Sequence, residues 1–224
     1  MDIFGGMGEI ISALFGNDAW MLGDALKQNQ SATWVLGLLV TVIGGLAVMY
    51  LYRAVPFLEK NLEPTVMVIS YLTIGFIIFE GVIQRFFLDG QEPWSTTLPP
   101  FLFLVMTWFG CSYNVKLRTH LSFAEFRTMM PRGGQISCLL LDAALWLGLS
   151  WIVIVTTAQE TVAAAANFRF MAGTDNVMQW WFLVSVPIAF VFLSARVLEN
   201  LLTDLRNFRE GNVLIEQAVI GGDT

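Results

Sequence analysis

The run Thr33-Trp-Val-Leu-Gly-Leu-Leu-Val-Thr-Val-Ile-Gly-Gly-Leu-Ala-Val-Met-Tyr-Leu-Tyr52 decides the fold. It is 20 residues long, carries no charge, and is closed by Arg53. An α-helix rises about 1.5 Å per residue, so this run matches the ~30 Å hydrocarbon thickness of a bilayer. Only a helix or a closed barrel satisfies its backbone polar groups there. The rest of the chain has the same character. Of 224 residues, 56% are hydrophobic and 13% charged, and the mean hydropathy is +0.65. That much apolar surface exceeds what a single soluble globule of this size hides.

Working outward, four further apolar runs qualify as spans: about 65–84 with Glu80 inside it, 98–115, 137–158 with Asp142 inside it, and 177–195 with Pro187 inside it. The expected fold is an all-α polytopic membrane protein, with Pro187 kinking the last helix. Residues 1–31 differ. Ile3, Phe4, Met7, Ile10, Ile11, Leu14 and Phe15 recur at three- and four-residue spacing, which predicts an amphipathic helix lying in the membrane interface. A disordered terminus is the alternative.

Lysine and arginine fall unevenly between the runs. Arg53, Lys60, Lys116, Arg118, Arg127, Arg132, Arg196, Arg206 and Arg209 gather in alternate polar segments, against Lys27, Arg85 and Arg169 in the others. By the positive-inside rule this predicts an N-terminus outside and a C-terminus in the cytoplasm. The balance of 12 basic and 18 acidic residues leaves no electrostatic basis for a nucleic-acid partner.

The polar residues within and between the spans are few. Asp142 and Arg196 fall at a shared depth near the basic ends of the fourth and fifth runs, so an interhelical ion pair is expected between them. Glu80, beside Gln84 and Arg85, is expected to reach the interface or a partner subunit. Ser122 and Glu125 have capping-box spacing and predict a short helix on the membrane, with Phe123, Phe126 and Met130 in lipid and Arg118, Arg127 and Arg132 on head groups. His120 is read as a solvated or capping side chain. One histidine and two separated cysteines, Cys111 and Cys138, supply neither a haem site nor a zinc framework, and no cofactor or metal is expected. Ser112 lacks the elbow of a serine hydrolase.

The string from Glu80 through Gln84-Arg85-Phe86-Phe87, then Pro93-Trp94, an apolar run with Trp108 and Gly110, and Lys116-Leu-Arg118-Thr-His120 resembles the small membrane (Q-type) subunit of tripartite ATP-independent periplasmic (TRAP) transporters. Arg85, Trp94, Arg118 and His120 carry the resemblance, which covers roughly residues 60–205. Ser95, Thr96 and Thr97 stand where the family often has glutamates after the tryptophan. The resemblance implies a four-helix core at 60–205; the amphipathic interfacial segment at 1–31 and the extra transmembrane helix with its connector at 32–59 exceed the usual family pattern, and a cytoplasmic tail is expected at 206–224.

The resemblance further implies a multi-pass protein of the bacterial inner membrane. Its partners would be a large membrane subunit and a periplasmic solute-binding protein, and its task to brace the large subunit, which carries the sodium ions, during sodium-driven uptake of an organic acid such as a dicarboxylate. The polar groups available to a docking binding protein are Arg85, Asp89, Glu92 and Trp94 on one loop and Asn167, Arg169 and Asp175 on another. An accessory subunit of a redox or other membrane enzyme complex, and a self-sufficient small transporter, stay open as other classes. Trp20, Trp34, Trp94, Trp108, Trp180 and Trp181 are expected to anchor the bundle at a fixed depth.

Overall fold

The computed structural model describes residues 3–16, 18–87, 90–118 and 127–214. Helices α1 (Ile3–Phe15) and α2 (Ala19–Gln28) precede five long ones: α3 (Gln30–Ala54), α4 (Pro56–Phe87), α5 (Trp94–Leu117), α6 (Arg132–Ala166) and α7 (Trp180–Glu210). Each of the five is long and apolar enough to cross a membrane. They exceed the expected runs because the charged residues flanking each apolar stretch stay helical beyond it. The loops 90–93 and 167–179 and helices α1 and α2 share one end of the bundle, the loop end. Val55, Arg118 and residues 127–131 lie at the other, the basic end.

α7 is the centre. The most apolar stretch of α7 is 44% buried, against 17% for α4, which lies at the edge. Val186, Phe190, Leu193 and Val197 of α7 pack with Val115 of α5 and Ile154 of α6 in the main core, where the Trp108 ring meets Phe190 at 4.9 Å. Trp108 is thus a packing residue rather than an interfacial anchor, whereas Trp20 and Trp181 are exposed.

α7 is interrupted at Val184, between segments Trp180–Leu183 and Ser185–Glu210. Pro187 has no amide for the carbonyl of Leu183, which places the break one turn before it. α3 reaches this core through glycines. A Cβ on Gly37 would lie 2.1 Å from Val155, and one on Gly45 3.1 Å from Leu198 and Ser194. Without a hydrophobic force between helices in lipid, such close backbone approach is how they adhere. Between the two contacts α3 passes through a π-helical segment, Val40–Gly44, where Thr41 donates its hydroxyl to the carbonyl of Gly37 at 2.8 Å.

The amphipathic start is helical, but its apolar stripe divides. Met7 and Ile10 pack inward against Leu22, Ala25, Ala32 and Leu36, while Phe4, Leu14 and Phe15 stay exposed. Asn29 fixes the arrangement by donating to Glu9 at 2.9 Å.

Candidate interaction sites at the two ends of the bundle

At the basic end α4 begins at Pro56, so Glu59 and Glu63 are helical and lie one turn apart on one face. That face meets Arg196 of α7. Arg196 and Glu63 have fully buried side chains and form a bidentate pair: Nε donates to Oε1 at 2.9 Å and Nη2 to Oε2 at 2.8 Å. Nη2 also donates to the carbonyl of Glu59 at 2.8 Å, and Nη1 to Glu199 at 3.1 Å. Tyr52 of α3 and Ser112 of α5 donate their hydroxyls to Glu63 Oε1 at 3.2 and 3.1 Å. The guanidinium lies 3.9 Å from the Tyr52 ring centroid. Lys116 adds a bond to the Glu59 carbonyl at 2.8 Å and an ion pair with its carboxylate at 3.3 Å. Four helices are fastened through one cluster.

This corrects the expected pair of Asp142 with Arg196. Arg196 points across the bundle to α4 rather than to α6, and Asp142 pairs with Arg127 at 3.6 Å. Glu63 was the missed residue, because Pro64 reads as a boundary and leaves it in a loop. The signal was present in Glu59 and Glu63 themselves, two like charges on one helix turn that call for a cation between them.

Arg118 ends α5 in the left-handed region, at φ 56°. That strained turn is held because its guanidinium reaches Asp204 at 2.8 Å and the carbonyl of Asn200 at 3.3 Å. Arg132 does not face head groups alone. It donates to the carbonyls of Asn207, Phe208, Gly211 and Asn212, at 2.8–3.4 Å, and so caps the C-terminus of α7.

At the loop end the two expected docking loops touch. Gly173, at φ +75°, has no room for a Cβ, which would lie 2.3 Å from Pro93 and 3.0 Å from the Trp94 amide. The 167–179 loop is braced by bonds from Met171 N–H to the Val177 carbonyl and from Gln179 N–H to the Arg169 carbonyl, both 2.9 Å. Met171 is buried beneath it. Glu92, Asn167 and Asp175 are exposed and Trp94 half-buried. Arg169 is paired with Glu160 and is therefore not a free docking charge.

Arg85 is exposed and has no hydrogen-bond or ion-pair partner among the described residues. Glu80 accepts from Gln84 through one oxygen, while the other is buried without a partner. Asp89, His120 and the Ser122–Glu125 capping box lie outside the described residues. Trp94 and Arg118 sit at opposite ends of α5, about 36 Å apart by helix rise. The motif residues therefore do not form one site. Among the described residues, no group of three or more His, Cys, Asp or Glu side chains is placed to hold a metal.

A comparison with curated proteins finds no match. Residues 74–207, from the middle of α4 nearly to the end of α7, match the family described as tripartite ATP-independent periplasmic transporters, DctQ component. That family works with a large membrane subunit and a periplasmic binding protein. With well over half of its length matched and five helices able to cross a membrane, the chain belongs to the DctQ family and is the small, multi-pass membrane subunit of a TRAP transporter.

Proposed function

We propose that this subunit is a static brace in the bacterial inner membrane, holding a large membrane subunit during sodium-driven uptake of an organic acid that a solute-binding protein delivers. The observation that carries this reading is the closed state of the Arg196–Glu63 cluster. Four of the five guanidinium donors of Arg196 already have protein acceptors. The one N–H left cannot make a bidentate bond to a substrate carboxylate. Transporting proteins bind at the midplane on broken helices with open polar groups. The π-helical segment of α3 is closed, since Thr41 bonds to its own helix. Under the predicted orientation the basic end is cytoplasmic and the joined 90–94 and 167–179 loops face the binding protein. Arg85, Glu92, Trp94, Asn167 and Asp175 are then its candidate footprint.

Reconstitution tests the reading. Proteoliposomes with this chain alone should show no sodium-driven uptake, whereas adding the large subunit and the binding protein should produce it. Uptake by the chain alone would overturn the proposal.

A further inference from the structure

The loop-end half of α4 and α5 encloses a groove of about 420 Å³ whose chemistry changes along its length. Its walls at the mouth are Arg85, Gln91 and Thr96, and its walls toward the middle of the bundle are Ile78, Val82 and Pro99. The two helices run in opposite directions, yet both contribute polar residues at the mouth and apolar ones below. From Ile78 to Arg85 is about 10 Å of helix rise, so the gradient follows the change from head group to hydrocarbon in a single leaflet.

Two observations show what the mouth lacks. The Arg85 guanidinium is exposed and without a partner among the described residues. Pro99 and Pro100 have no amide hydrogens, so the carbonyls of Ser95 and Thr96 have no donor in the helix pattern. The mouth thus presents an unpaired cation above an apolar floor that opens beside the exposed Ile78, Val82 and Phe86.

We infer that this groove is a binding site for one phospholipid. Its phosphate bonds to Arg85, its head group lies beside the polar side chains at the mouth, and one acyl chain lies between α4 and α5. Charge-assisted bonds from arginine to phosphate are short and strong, and basic pockets between transmembrane helices suit lipid head groups. The complementary charge and the gradient along the groove together favour lipid over a protein segment. A helix of the large subunit would have to bring an anion to the level of Arg85 and an apolar face below it.

The test uses the purified full-length chain in detergent, incubated with phosphatidylglycerol or with diacylglycerol of the same acyl chains, and native mass spectrometry to count retained lipid. Phosphatidylglycerol should remain as one adduct per chain, and diacylglycerol should be lost. Arg85→Gln should lower retention about tenfold, the loss expected for one bond to a charged group. Val82→Trp, which fills the groove from an exposed position, should lower it similarly. Arg209→Gln, far from the groove, should retain lipid as the unsubstituted chain does. Equal retention of diacylglycerol, or full retention by Arg85→Gln or Val82→Trp with normal helicity, would overturn the site. So would a photocrosslinker at Val82 that captures the large subunit instead of lipid in the assembled transporter.

Discussion

The buried and best-placed charges differ between the two ends of the bundle, although Arg169 and Glu160 pair at the loop end as well. At the basic end Arg196, Lys116, Arg118 and Arg132 all find acceptors within the chain, and the central pair has no solvent exposure at all. At the loop end Arg85 has no partner among the described residues, one oxygen of Glu80 is buried without one, and Glu92 and Asp175 are exposed. Closed charges fasten helices to one another, and removing either member is costly. Open charges fasten nothing within the chain and remain available to other molecules. The contrast separates the part of the protein that holds its own shape from the part that meets lipid or a docking partner.

The largest effect should come from breaking the closed end. Glu63→Leu leaves buried Arg196 only the partly exposed carboxylates of Glu199 and Glu59 as counter-charges, and should lower stability by about 3 kcal/mol, read as a fall in melting temperature of the detergent-solubilised protein. Glu63→Leu combined with Arg196→Met should recover much of that loss. A double variant as unstable as the sum of the two singles would show that the pair is not the fastening.

A smaller effect is expected where the loop end is rigid. Gly173→Val forces a Cβ into Pro93 at a positive φ, and should cost roughly 1–3 kcal/mol and part the two loops. Uptake in the reconstituted system should fall even where the bundle is still assembled. Normal melting and normal uptake together would mean that the loops do not act as one surface.

The smallest effect should come from an open charge. Glu92 bonds through its backbone alone, its amide donating to Gln84 at 3.1 Å and its carbonyl accepting from the Ser95 hydroxyl at 2.8 Å. Glu92→Lys should therefore leave the melting temperature unchanged and raise severalfold the binding-protein concentration needed for half-maximal uptake, because rim charges act mainly on encounter. The shift should shrink in high salt. An unchanged titration would move the docking footprint off this loop.

Hydropathy and length made the five long helices legible, because a bilayer leaves the backbone no other way to satisfy its hydrogen bonds. The family was legible in the sequence, whose residues 74–207 match it, and the short arginine-rich segments marked the basic end. Partner choice was not. Asp142 and Arg196 sit at comparable depths, and depth is all that linear position supplies. Which face of α7 turns toward α4 depends on the packing of Phe190, Leu193 and Val197 and on the glycine contacts of α3, and these place Glu63 rather than Asp142 beside the guanidinium. The apolar stripe of α1 divided for a similar reason: α2 and α3 offered Met7 and Ile10 a protein surface. The sequence by itself determined that the chain forms membrane helices and where each begins and ends to within a few turns, since those follow from local polarity. Only the tertiary structure decided which charges close on one another and which stay open, since that depends on rotations of helices that the sequence does not encode locally.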